Sequence, residues 1–70
     1  MSLDELRVKI TLGNHIKRKY HPEDFTIIVD NISKRENLMR VKYKRYGHHG
    51  FCISTLEKEL PYEEVKHIMD

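Results

Sequence analysis

The chain has few of the residues that small proteins use to compensate for a small core. Its 70 residues include one cysteine, no tryptophan, three glycines and two prolines. A lone cysteine excludes an internal disulfide framework, so the fold must rest on a modest apolar core. An unpaired Cys52 also favours a reduced, cytoplasmic protein.

Long apolar runs and catalytic motifs are also missing. No stretch approaches the roughly 20 apolar residues that a transmembrane helix needs. Runs such as Ile27–Val29 are short and strand-like. The start of the chain, Met1–Leu6, is acidic and short, unlike a secretory signal with its basic start and longer apolar run. We therefore expect a protein without a membrane span, which is not an enzyme and uses no cofactor.

Charge is small in total but unevenly distributed. The net charge is +2. Between Arg7 and Arg45 there are eleven Lys and Arg against four acids, whereas between Tyr46 and Asp70 there are two against five. This asymmetry favours a polyanionic partner for the basic part. The same pattern is also compatible with the solvated surface of an ordinary small protein.

Alternation of apolar and polar residues predicts five β-strands. The predicted strands are residues 6–12, 15–20, 25–32, 38–46 and 51–53. Gly13-Asn14 suits a two-residue hairpin turn, because glycine adopts positive φ without penalty. The loop at residues 21–24, the five-residue connection at 33–37 and the glycine-flanked reversal at 47–50 would join the other strands.

The end of the chain predicts helical structure. Ser54 and Glu57 have the spacing of a capping box, so we expect a single helical turn there. Pro61 is tolerated at the first position of a helix, and apolar residues recur at helical spacing as far as Met69. The pattern predicts a C-terminal helix over residues 61–69, and residues 1–5 are interpreted as a flexible lead-in.

Together these elements predict a mainly β fold. The expected architecture is a small five-stranded SH3-like barrel with a short C-terminal helix, forming one domain over residues 1–70. Closing the sheet would hide the strand edges, which a small all-β protein must protect.

The outward positions of the first, second and fourth predicted strands are basic. If these strands are neighbours, they form one cationic sheet face with an aromatic ring at its rim. Such a face contacts successive phosphates and stacks on bases with little sequence preference. The predicted nucleic-acid-binding residues are Arg7, Lys9, Lys17, Lys19, Arg40, Lys42, Lys44 and Tyr46.

Two other groups of residues are explained more simply by structure than by metal binding or catalysis. His48, His49 and Cys52 are zinc-ligand types, but structural zinc sites need four ligands, so we expect no metal. We interpret them as a polar turn beside a buried cysteine. A further group consists of acids that a helix N-terminus favours, rather than catalytic carboxylate pairs. Its members are Glu57, Glu59, Glu63 and Glu64.

Three segments resemble the small archaeal chromatin proteins of the Sul7 type. They are Val8–Thr11, Leu38–Tyr43 and the stretch from Gly50 through Pro61. The resemblance implies an SH3-like barrel that binds the DNA minor groove with a triple-stranded sheet and wedges an apolar side chain into a base step. Leu38 or Met39 is the nearest match to that wedge. The chain departs from the family in lacking a tryptophan on this sheet.

The alternative hypothesis is a protein-interaction module or a small inhibitor or accessory protein, of the kind that phages and mobile elements encode. SH3-like barrels commonly bind partners through loops and grooves. The aromatic residues that would line such a groove are Tyr43, Tyr46, Phe51 and Tyr62. The nucleic-acid hypothesis additionally requires the predicted cations to share one surface.

Overall fold

The computed structural model describes residues 3–69. Two helices and three strands follow one another along the chain. They are α1 (Leu3–Tyr20), β1 (Thr26–Arg35), β2 (Leu38–Tyr46), β3 (Cys52–Pro61) and α2 (Tyr62–Met69). The strands form one antiparallel sheet in the order β1-β2-β3, so β2 is central and β1 and β3 are the edges.

The fold is α+β with an open sheet, so the predicted five-stranded barrel is wrong. A barrel buries its apolar face by closing on itself, whereas this sheet buries one face beneath the helices and leaves the other open. The core draws side chains from all five elements. Its buried members are Leu12, Ile16, Ile27, Val29, Met39, Val41, Tyr43, Leu60, Val65 and Ile68.

Helix α1 replaces the first two predicted strands. The side chains that it buries fully or partly recur every four residues: Val8, Leu12, Ile16 and Tyr20. This is the spacing of one helix face. A strand over residues 6–12 would point Leu6 and Ile10 inward together with Val8 and Leu12, but both are exposed in the helix. Apolar and polar residues do alternate over residues 6–12, but the residues that the core buries follow the helical spacing instead.

The charged residues at the two ends of α1 have the signs that the helix dipole favours. Asp4 and Glu5 lie in its first turn, and Lys17–Lys19 lie in its last turn, where each sign is stabilised by the unpaired backbone groups. Residues 3–5 belong to this helix rather than to a flexible lead-in. Residues 1 and 2 of that predicted lead-in lie outside the described residues.

Gly13 lies inside α1 rather than in a hairpin turn. A Cβ atom at this position would lie only 2.9 Å from the backbone oxygen of Ile27. Glycine therefore allows the helix to approach β1 more closely than any residue with a side chain would. This close contact holds α1 over β1, at one edge of the sheet.

Strand β2 has the predicted bounds and the predicted alternation. Met39, Val41 and Tyr43 are buried, and the residues between them point to the open face. Strand β1 extends to Arg35, so the predicted five-residue connection shortens to a turn at Glu36-Asn37, with Glu36 at φ 57°. The register of β1 with β2 shifts between Val29 and Asn31, which marks a β-bulge.

The final strand is much longer than predicted. Ser54 pairs with Arg45 and Glu57 with Lys42 in the β2–β3 ladder, so the predicted capping-box turn is wrong. Pairing with the central strand supplies more backbone hydrogen bonds than a single isolated turn. The reversal before β3 is confirmed, because the Gly50 N–H donates to the Gly47 carbonyl at 3.0 Å.

Helix α2 confirms the predicted C-terminal helix to within one residue. Val65 and Ile68 are buried at helical spacing, as expected from the sequence. The Tyr62 N–H donates to the Asn37 carbonyl at 2.7 Å, which ties the start of α2 to the β1–β2 turn. Within residues 3–69, neither helix combines the length and apolar character needed to cross a membrane.

Candidate interaction surface

The predicted nucleic-acid-binding residues lie on two different sides of the sheet. One group is carried by α1, which packs on the buried face: Arg7, Lys9, Lys17 and Lys19. The other group lies at outward positions of β2, on the open face: Arg40, Lys42, Lys44 and Tyr46. The proposed single basic sheet face is therefore wrong, because it required two strands where the chain forms α1.

Carboxylates neutralise much of the open face of β2. The Arg40 guanidinium lies 3.0 Å from Glu57 and 2.9 Å from Glu59 on β3. Lys44 Nζ lies 3.9 Å from an Asp30 oxygen on β1. Within the described part of the chain, Lys42 makes no ion pair. The open face thus carries mixed charge rather than a row of free cations.

Two of the cations on α1 are also paired. Lys9 Nζ lies 3.5 Å from the Glu5 carboxylate one turn earlier. Lys19 contacts Glu64 of α2. Among residues 3–69, Arg7 and Lys17 make no ion pair. Pairing therefore reduces the charge available to a polyanion on both sides of the sheet.

Glu64 joins the two helices. Its carboxylate accepts hydrogen bonds from Lys19 and, at 2.9 Å, from the Tyr20 hydroxyl, and it lies 3.0 Å from His15 Nε2. The hydrogen bond from Lys19, followed by the one from His15, lowers the pKa of Glu64 to about 2. The carboxylate is thus ionised at neutral pH and acts as a structural tie rather than as a proton donor.

We expect Glu64→Gln to lower the free energy of unfolding by about 1–2 kcal/mol at neutral pH, since solvent screens part of these interactions. The folded state holds the pKa of Glu64 below its unfolded value, so this stabilisation is present above the unfolded pKa. It is lost as the pH falls through the folded pKa.

Urea unfolding followed by circular dichroism at a series of pH values tests this expectation. The difference between wild type and Glu64→Gln should shrink between about pH 5 and pH 2. The exposed neighbour Glu63 provides the matched control, because Glu63→Gln should change stability little. A Glu64→Gln difference that stays constant with pH would contradict the assignment.

A second polar cluster fastens the α1–β1 loop to the sheet. The Asp24 carboxylate accepts hydrogen bonds from Arg45 Nε at 2.6 Å and Nη2 at 3.0 Å. His21 Nε2 lies 2.7 Å from the Tyr43 hydroxyl. Burial, and then the nearby Arg45 charge, lowers the pKa of His21, so the imidazole is neutral at pH 7. These groups satisfy one another, as expected of a structural cluster.

The β2–β3 turn exposes its histidines and the cysteine. Cys52 is exposed, so the prediction that it is buried beside the turn is wrong. No group of three metal-ligating side chains comes together among residues 3–69. Phe51 and Phe25 project near the same end of the molecule with 76% and 60% of their surface exposed. The rings of Phe25 and His48 lie 6.4 Å apart.

The other aromatic and apolar residues singled out in the sequence do not form one site. Tyr43 is buried in the core, and the Tyr62 ring lies beneath the Lys34 ammonium at 4.0 Å. The predicted aromatic groove is therefore wrong. Met39 is buried and cannot act as a wedge, whereas Leu38 is exposed at the start of β2.

An apolar groove of about 400 Å³ lies between α1 and the edge strand β1. Leu6 and Ile10 of α1 line one side, and Ile27–Val29 lines the other. Within the described residues 3–69, β1 pairs with β2 alone, so its outer edge presents unpaired backbone groups beside the groove. Sequence reasoning missed this surface because the predicted strand over residues 6–12 directs Leu6 and Ile10 toward the core.

Comparisons with known proteins found no matching family, no matching curated protein and no matching solved structure. The interpretation of these surfaces therefore depends on their own chemistry.

Proposed function

We propose that this chain is a cytoplasmic, non-enzymatic protein-interaction module that binds its partner at the groove between α1 and β1. The main support is that Leu6 and Ile10 remain exposed on the flank of α1, beside the unpaired edge of β1. A contiguous apolar patch on a small protein is typical of a surface that another protein covers. Burying it contributes about 25 cal/mol per Å².

The charge around the groove also favours a protein partner over a polyanion. Among residues 3–69, the charged residues that line it are Lys9 and Asp30, of opposite sign. Lys9 is already paired with Glu5, and Asp30 with Lys44. A phosphate backbone would find no free row of cations here, whereas an apolar side chain would replace water at little electrostatic cost.

Affinity capture with the tagged chain tests this proposal. We expect Ile10→Glu to abolish capture of the partner, because it places a carboxylate in the apolar groove. Ile53→Glu is the matched control, since Ile53 is equally apolar and exposed but lies on β3, at the other edge of the sheet. Capture that survives Ile10→Glu, or no capture of any protein including an untagged copy of this chain, would contradict the proposal.

Nucleic-acid binding is a second candidate, at a smaller surface than the sequence indicated. Lys17 and Arg18 lie with the exposed Phe25 around a shallow depression at the end of α1. Neither cation makes an ion pair within residues 3–69. Cations beside an exposed ring are what single-stranded nucleic acid requires.

Titration of labelled single-stranded and duplex DNA at low and moderate salt tests this candidate. Lys17→Glu with Arg18→Glu should weaken binding, whereas the open-face pair Arg40→Glu with Lys42→Glu should change it much less. Absence of micromolar binding at low salt would remove the candidate.

A further inference from the structure

We propose that the partner at the α1–β1 groove is a second copy of this chain, with the two α1 helices packed antiparallel about a two-fold axis near Ile10. This inference rests on the proposed function and names the occupant of that surface.

The exposed stripe of α1 is apolar in one half only. Leu3, Leu6 and Ile10 follow one another at helical spacing and are 84%, 45% and 57% exposed. Asn14 and Lys17 continue the same stripe through the second half of the helix. A second α1 laid along this stripe would cover all three apolar side chains, and the charges on the flank of α1 decide its direction.

The antiparallel arrangement gives every residue of the stripe a position opposite a residue of the partner's stripe. With the axis at Ile10, this side chain meets its own symmetry mate, Leu6 lies opposite Asn14, and Leu3 lies opposite the aliphatic stem of Lys17. The apolar half of each helix then lies along the second half of its partner's stripe, in a contact roughly 20 Å long with the two Ile10 side chains at its centre. An isologous contact of this type closes as a dimer and does not propagate.

Charge complementarity supports the same direction. Asp4 and Arg18 lie on one flank of α1, at opposite ends, four helical turns apart. Neither makes an ion pair within the described part of the chain. In the antiparallel pair each Asp4 lies within one turn of the partner's Arg18, whereas a parallel pair would bring like charges together.

The edge strand favours contact through helices rather than through strands. The bulge between Val29 and Asn31 interrupts the regular edge of β1, and Lys34 and Arg35 follow it. Bulges and charged residues are the devices that block strand pairing at an edge. The groove beside α1 still accepts apolar side chains, because Ile27 and Ile28 line its second wall.

Sedimentation velocity of the purified full chain over a range of concentrations tests the dimer. We expect a reversible monomer–dimer equilibrium whose dissociation constant rises about tenfold or more in Ile10→Glu, which brings two carboxylates to the axis. Ile53→Glu should leave the dissociation constant unchanged. Circular dichroism checks that each variant keeps its fold.

Charge exchange and cross-linking test the arrangement with Leu3 and Leu6 left in place. Asp4→Arg and Arg18→Asp should each weaken self-association, and a mixture of the two variants should form heterodimers preferentially. In a Cys52→Ser background, Ile10→Cys should cross-link symmetrically on oxidation. Thr55→Cys, on the open face, should not cross-link beyond random collision.

The outcomes separate the two proposals. A chain that stays monomeric at millimolar concentration overturns the dimer. A dissociation constant that is the same in wild type and Ile10→Glu also overturns it. If the mixture of Asp4→Arg and Arg18→Asp associates as weakly as each variant alone, the antiparallel arrangement is overturned. A monomeric chain that still captures a different protein in an Ile10-dependent manner overturns this inference but leaves the proposed function standing.

Discussion

Leu60→Ala is expected to lower the free energy of unfolding by about 2–5 kcal/mol. Leu60 is fully buried near the end of β3, opposite Met39 of the central strand, and packs in the core that both helices cover. Shortening it leaves a cavity where sheet and helices meet. A chain of this length is stabilised by roughly 4–10 kcal/mol in total, so the change removes a large part of its stability.

Urea unfolding monitored by circular dichroism measures this effect. Ile53→Ala is the matched control, because Ile53 is an apolar residue of the same strand that remains exposed. It should shift the midpoint little. Equal midpoints for the two variants would show that the helices do not cover Leu60 in solution.

Asp24→Ala is expected to lower the free energy of unfolding by about 2–3 kcal/mol. The Asp24 side chain is only 7% exposed and accepts two hydrogen bonds from the Arg45 guanidinium. Removing the carboxylate leaves that cation without its partner and releases the loop that joins α1 to β1. Glu23→Ala, at the exposed neighbouring residue, should have little effect.

The pH dependence of the Asp24 contribution has a defined sign. The hydrogen bonds from Arg45 hold the pKa of Asp24 below its ordinary value. Its stabilisation is therefore present above the unfolded pKa and is lost as the pH falls through the folded pKa. A double-mutant cycle with Arg45→Ala isolates the pair. An additive result would show that the two side chains are not coupled.

The elements that were predicted correctly depend on local pattern. Strand β2 alternates between exposed and buried residues from Leu38 to Tyr43, which is the period of a two-faced strand. Helix α2 combines Pro61 before its start with apolar residues such as Val65 and Ile68 at helical spacing. In both segments, neighbouring residues along the chain carry enough information to decide the structure.

The first twenty residues do not decide their structure locally. Leu6, Val8, Ile10 and Leu12 alternate as in a strand, while Val8 and Leu12 also belong to a helical face that continues to Ile16. The contact of Gly13 with the Ile27 backbone joins residues far apart in sequence, and no local pattern reveals it. Prediction therefore chose the shorter period and placed Leu6 and Ile10 on the wrong side.

The same limit applies to the candidate site. The sequence by itself determined the charge balance, the alternation of β2 with its outward cations, and the capacity of the C-terminal segment for a helix, because these depend on neighbouring residues. Only the tertiary structure decided which surfaces exist. It separated the cations of α1 from those of β2 and left Leu6 and Ile10 exposed, because these outcomes depend on which face of the sheet α1 covers. It also paired Arg40 and Lys44 with acids, because the register of β2 with its two neighbours brings those side chains together.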